Sequence, residues 1–225
     1  MKHIIITGTS RGIGKAMAQQ AAAQGHQVLA LSRQVDPTLQ SIPNISSLSV
    51  DLSHSDDIDK VAAWLQAHWL QIDVVIHNAG ALLNKPFAQT ETDDFVRIYQ
   101  TNVFGVAALT RICLPFLRPG SHVVAISSMG GVQGSAKFAG LSAYSSSKAA
   151  VIGLMELLAE EFRDQGISCN SLALGAVQTE MLAEAFPGYQ ASITAEAMAA
   201  YILQFGLEGH QWFNGKVLPV SMSTP

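Results

Sequence analysis

Tyr144 and Lys148 stand four residues apart in "AYSSSKAAV" (143–151), with three serines between them. Residues at that spacing share one face of a helix. A phenol beside an ammonium is a proton-transfer pair. A free tyrosine has a pKa of about 10 and is a poor base at neutral pH. Bringing it to about 7 means favouring the phenolate by roughly 4 kcal/mol. A cation about 4 Å away supplies on the order of 4 kcal/mol at an effective dielectric near 20. Lys148 is therefore expected to lower the pKa of Tyr144, and the small serines to leave room for a ligand against the helix. On spacing alone, an ordinary Tyr–Lys pair on a solvated face is the competing reading.

Such a site needs a hydroxyl to polarise the substrate oxygen. "VVAISS" (123–128) ends in Ser127 and Ser128. Alternation along a strand sends their side chains to opposite faces, so only one can serve Tyr144. Neither reads as a nucleophile, since no G-x-S-x-G surrounds them and no histidine is placed by motif. The seven histidines show no metal-ligand spacing. Cys113 and Cys169 lie in apolar surroundings and read as reduced, buried thiols.

A second constellation is "TGTSRGIG" (7–14), between a β-branched run and a helical pattern. Gly8 suits a tight turn, Gly12 the approach of a pyrophosphate, and Gly14 close helix–strand packing. Ser10, Arg11 and Ile13 complete the loop. The helix start offers free N–H groups to phosphate, which points to a dinucleotide. The spacing is not the G-x-x-x-x-G-K-[ST] of nucleotide hydrolysis. The next strand ends "LALSRQ" (29–34), with Ser32 where an NAD site usually has Asp or Glu, about 20 residues past the glycines. Arg33 follows. Arg11 and Arg33 together suit a 2′-phosphate, so NADP(H) is favoured over NAD(H). The competing reading leaves both arginines as solvated charges. Asp36, beside Pro37, stands too far round the turn to replace the missing acid.

These residues need a scaffold that gathers strand ends. Strands are expected at 3–7, 27–32, 47–51, 73–80, 121–128, 167–174 and 216–220. Helices are expected at 12–24, with Gly25 as the stop, at 56–69, in two segments over 91–117, from the Tyr144 stretch to about Arg163, and at 194–205. The alternation predicts a single α/β domain over 1–225: a doubly wound, mostly parallel Rossmann-type sheet of about seven strands with helices on both faces. Ligands bind at the carboxyl ends of such strands.

The bulk composition agrees. The 225 residues are 48% apolar and 13% charged, enough for a large core. The net charge of −4 and the absence of Lys/Arg runs argue against nucleic acid and anionic membrane as partners. "MKHIIITGTS" is too short an apolar stretch for a signal or a membrane span, so a cytoplasmic protein is expected.

Taken together the sequence resembles the short-chain dehydrogenase/reductase family, in its single-domain branch. The resemblance runs from "TGTSRGIG" to "NGKVLPV" (214–220), through "DLS" (51–53), "NAG" (78–80), "NVFG" (102–105), "ISS" (126–128), "YSSSK" (144–148) and "LGAVQT" (174–179). It implies Ser128, Tyr144, Lys148 and Asn102 as the catalytic set, with Asn102 holding a helix bend and a water. It places Asp51 and the Leu52 backbone at adenine, and Asn78, Ala79 and Gly80 at the adenine ribose. Val177 and Thr179 would meet the nicotinamide carboxamide, Lys148 the ribose hydroxyls, and Tyr144 also counts among the cofactor contacts. The positive ring of the oxidised cofactor would add to the effect of Lys148 on Tyr144. For Asp51 the competing reading is a helix cap, since "DLSHSDD" is rich in capping residues.

Two departures stand out. The 129–143 loop is longer than the family's usual spacing and should border the substrate pocket. Leu174 replaces the usual proline before Gly175. The lid segment 180–192 is short, with Met181, Leu182, Phe186 and Tyr189 facing an apolar pocket, which suits a small carbonyl compound. Helices at 102–117 and 144–163 carry spare apolar width, and a homodimer or homotetramer is expected; the tail "PVSMSTP" adds little interface. The leading expectation is an NADP(H)-dependent enzyme interconverting a ketone or aldehyde and its alcohol. A dinucleotide-binding regulator with little catalysis is the alternative, and an epimerase or dehydratase a third reading that lacks room for its usual substrate domain.

Overall fold

The computed structural model describes residues 1–222; residues 223–225 of the tail lie outside the described residues. Seven strands form one sheet: β1 (His3–Thr7), β2 (Gln27–Ser32), β3 (Ile45–Ser49), β4 (Ile72–His77), β5 (Leu117–Ser128), β6 (Ser168–Leu174) and β7 (Val217–Val220). Their order is β3-β2-β1-β4-β5-β6-β7, and every pairing is parallel. Among the described residues eight α-helices surround it: α1 (Gly12–Ala23), α2 (Pro37–Gln40), α3 (Ser55–His68), α4 (Thr92–Tyr99), α5 (Gly105–Cys113), α6 (Ser142–Glu161), α7 (Glu180–Ala185) and α8 (Ala195–Glu208).

The apolar runs in the strands follow from burial on both sides. Along β1, Ile4 and Ile6 pack with Met17 and Ala21 of α1 and Ile202 of α8 on one face. Ile5 packs on the other face, where Val61, Leu109 and Met155 come from α3, α5 and α6. Cys113 and Cys169 are both wholly buried in this second layer, as expected of free thiols. The chain winds outward from β1 to β3, then resumes at β4 on the other side of β1. A crevice opens at that reversal, beyond the strand carboxyl ends.

The differences from the expected elements have local causes. β4 stops at His77 because the N–H groups of Asn78 and Ala79 donate to Thr7 Oγ1, at 3.0 and 2.9 Å, rather than to a strand. β3 sits two residues earlier than expected, with Ile45 registered on Val28. Asp36 caps α2 by accepting from the Thr38 N–H (2.8 Å) and pairs with Lys15 at 2.6 Å, so it faces away from the cofactor role it lacked in sequence. Helices α4 and α5 are joined by a π-helical turn, Gln100–Phe104, that carries Asn102. Gly25 ends α1 with a left-handed φ of 82°, as its position implied.

Candidate active site

Every expected site residue except Gly14 and Asn102 lines one cleft of about 970 Å³ at this crevice. The glycine loop enters from β1. Gly8 turns with φ 76°, and a Cβ there would sit 2.8 Å from the Ala79 Cα. Gly14 lies behind the loop, where a Cβ would fall 2.6 Å from Asn78 Nδ2. That amide donates to the Thr7 carbonyl at 3.0 Å, so Asn78 buttresses the loop from β4. Thr7 was not anticipated; its position as the last residue of a strand, pointing at the "NAG" turn, was the available signal.

The cleft's first half fits a dinucleotide. Arg11 is the N-cap of α1 and makes no side-chain cap bond, so the first turn's N–H groups are unspent for phosphate. Arg33 is exposed at the end of β2, and Ser32 turns its hydroxyl onto the Gln34 carbonyl at 2.7 Å. The Asp51 carboxylate accepts from both N–H (2.9 Å) and hydroxyl (2.6 Å) of Ser53, an Asx turn rather than a cap on α3. Burial raises its pKa, but the Ser53 bonds and the charges of His54 and Arg33 outweigh that and hold it below the usual carboxylate value. Among the described residues no carboxylate takes the place of Ser32 at the end of β2, although Asp51 lies within reach of the charge of Arg33.

At the other half Ser128, Tyr144 and Lys148 meet. The two serines of β5 do diverge. Ser127 is buried and donates to the Lys148 carbonyl at 2.8 Å, tying β5 to α6. Ser128 faces the cleft, accepts from the Gly130 N–H at 3.2 Å, and is hydrogen-bonded to the Tyr144 phenol. Lys148 is 5% exposed, and its Nζ donates to the Ile126 carbonyl at 2.8 Å. Gly80 leaves room for it, since a Cβ there would lie 3.3 Å from Nζ.

The electrostatic expectation for this pair is corrected. Burial pushes the Tyr144 phenol above its ordinary pKa, and the Ser128 hydrogen bond offsets only part of that. Burial also lowers Lys148 to about 8. Its ammonium lies 5.7 Å from the centre of the Tyr144 ring and is turned to a backbone carbonyl. Spacing placed the two on one face but did not reveal that both would lose their water. Desolvation then wins over attraction, and the phenol holds its proton at neutral pH.

Asn102 does not line the cleft. It is 1% exposed, accepts from the Ala81 N–H (2.7 Å), and donates to the Ala81 carbonyl (3.0 Å) and Ser147 Oγ (2.9 Å). It pins the loop after β4 to α6.

The lid completes the site. Val177 lines the cleft, and Thr179 caps α7 by accepting from the Leu182 N–H at 3.2 Å. Without proline at Leu174, the preceding turn is held by the Gly175 N–H on the Val220 carbonyl at 3.0 Å. Met181, Leu182, Phe186 and Tyr189 line the cleft together with Met129, Phe138 and Leu141 of the 129–143 loop. Asn84 donates to the Ala185 carbonyl at 3.0 Å, and Arg11 pairs with Glu184. α7 thus bridges the cleft from the glycine loop to the turn after β4. Sequence reasoning missed Glu184, although Glu180 and Glu184 one turn apart marked an acidic face.

A family profile described as short chain dehydrogenase matches residues 2–190. An uncharacterized short-chain type dehydrogenase/reductase y4vI of Sinorhizobium fredii is 31% identical over 186 residues, which are 80% of this chain and 33% of that one. The chain thus spans about a third of that relative. The 3-oxoacyl-[acyl-carrier-protein] reductase FabG of Aggregatibacter actinomycetemcomitans is 33% identical over 82% of this chain and 79% of its own. Among solved structures, ElxO with NADP bound superposes with a TM-score of 0.85 at 28% identity, covering 98% of each chain.

Proposed function

Because the chain belongs to the short-chain dehydrogenase/reductase family of NAD(P)-dependent enzymes, we propose that it interconverts a ketone or aldehyde and the corresponding alcohol, using NADP(H), with Tyr144 as the acid/base. The observation that carries this is the convergence of the Tyr144 phenol, the Ser128 hydroxyl and the Lys148 ammonium on one cleft with an uncapped helix start. A bound nicotinamide dinucleotide would supply or accept the hydride. The protein's own part is proton transfer and placement.

In reduction Tyr144 hands its proton to the carbonyl oxygen, and Ser128 donates a second hydrogen bond to the same oxygen. The phenol's raised pKa keeps that proton in place at neutral pH, available for donation. Lys148 compensates the phenolate left behind. The apolar side chains of the lid and the 129–143 loop exclude water from the oxygen. A dinucleotide-binding regulator has no use for this trio, and its assembly weighs against that reading. The test is loss of NADPH absorbance on a panel of neutral ketones and aldehydes. Cofactor binding with no turnover on any of them would favour the regulator.

NADP(H) is preferred in this proposal because Arg33 is exposed at the cleft rim and no carboxylate stands at Ser32. Arg33→Ala should weaken NADPH by about tenfold, the scale of one charge-assisted bond, and leave NADH within about twofold. Equal losses in a direct binding titration would refute the phosphate contact. We also propose a homodimer or homotetramer, with α5 and α6 at the interface, where Leu157 and the preceding Phe104 are 70% and 51% exposed.

A further inference from the structure

We propose that Glu184 competes with the 2′-phosphate of NADP(H) for Arg11, and so limits how strongly the protein discriminates NADP(H) from NAD(H). This rests on Arg11 being a phosphate contact in the reading above. Arg11 sits in the glycine loop, and both of its terminal nitrogens are taken: Nη1 by Glu184 Oε1, and Nη2 by Oε2 at 3.0 Å. A fork filled in this way is the one a phosphate would use.

Glu180 stands one turn earlier on α7, and its Oε2 lies 3.4 Å from where a Cβ on Gly12 would be. Residues four apart share a face, so α7 presents two carboxylates to the loop. Its sequence, EMLAEA, contains no cation to balance them. Packing does not account for Glu184, whose side chain is 62% exposed; among the described residues its ion pair is with Arg11. The lid therefore brings a carboxylate to the guanidinium that the 2′-phosphate would use.

A carboxylate and a phosphate repel on one guanidinium. NADP(H) must release Glu184 before Arg11 can hold the 2′-phosphate. NAD(H) lacks that group and leaves the pair intact. The ion pair is thus a handicap on one cofactor only. The Asn84 bond to Ala185 and the Thr179 cap do not involve Arg11, so α7 stays tethered when the pair opens.

The test is a set of binding titrations, read by reduced-nicotinamide fluorescence, with NADPH and NADH. The proteins are wild type, Glu184→Gln, Arg11→Ala and the double variant. Glu184→Gln should tighten NADPH about threefold to fivefold, the scale of an exposed pair, and change NADH by less than about 1.5-fold. In the Arg11→Ala background Glu184→Gln should change nothing. Unchanged or weaker NADPH binding in Glu184→Gln overturns the competition, as does equal tightening of both cofactors. If Arg11→Ala keeps the wild-type NADPH-to-NADH ratio, the phosphate contact itself fails, and the competition with it. If Arg11→Ala weakens NADPH while Glu184→Gln has no effect, only the competition fails.

Discussion

Tyr144→Phe should fold, bind NADPH with wild-type affinity, and reduce carbonyl compounds about a hundredfold to ten-thousandfold more slowly, the range of a lost general acid. Phenylalanine keeps the ring in its place on α6 beside Lys148 and removes one atom. In the proposed reaction that atom is the proton donor, and it is the partner of Ser128. Ser128→Ala should cost less, since it removes a hydrogen bond to the substrate oxygen and not the proton itself. In the wild type, reduction should hold through neutral pH. It should fall as the pH passes about 8, where Lys148 gives up its charge and the phenolate loses its compensating cation. Turnover by Tyr144→Phe within tenfold of the wild type would end the acid/base assignment.

The second large effect is on stability, and it comes from two buried histidines outside the cleft. His122 Nδ1 lies 3.0 Å from the Gly206 carbonyl and must donate to it. Its Nε2 is then bare and accepts from the Asn170 amide at 2.9 Å. Asn170 is fixed in that sense, because its Oδ1 accepts from the Lys216 N–H. His77 reaches Thr110 Oγ1 at 2.8 Å, and that hydroxyl already donates to the Val106 carbonyl. His77 Nε2 therefore donates, and Nδ1 is buried without a partner. A proton added to either ring would face a donor or hydrocarbon.

Burial accordingly lowers both histidines from 6.5 to about 4. The unfolded chain takes up these protons first, so stability is full above about 6.5 and declines as the pH falls from there to about 4. Each ring contributes about 3 kcal/mol over that window. Together they are comparable with the whole stability of many domains. Urea midpoints measured at pH 7.5 and pH 4.5 should differ steeply. His77→Asn should flatten the profile by about half, even if it is less stable at pH 7.5. Equal wild-type midpoints at the two pH values would refute this account.

Much of this architecture was legible in the sequence, because apolar runs such as residues 4–6 and 74–76 are buried on both faces, and Gly8 and Gly25 mark the turns on either side of α1. Alternation said that only one of Ser127 and Ser128 could face the cleft, and the family resemblance implied Ser128; the structure places Ser127 against α6. The failures share a cause. The end of β4 depends on a hydroxyl from β1, the partner of Arg11 lies on a helix 173 residues away, and the depth of Tyr144 and Lys148 depends on what packs over them. These are relations between distant segments. Local pattern reports which face a residue occupies, but not how much water remains there.

The two thiols in the second core layer have a practical consequence. Burial raises both well above the ordinary thiol value, Cys169 to about 12, so neither reacts while α5 and α6 stay packed on the sheet. Their modification by an alkylating reagent therefore clocks transient opening of that half of the molecule. It does so far from the lid, giving a readout of core breathing that cofactor traffic in the cleft need not disturb.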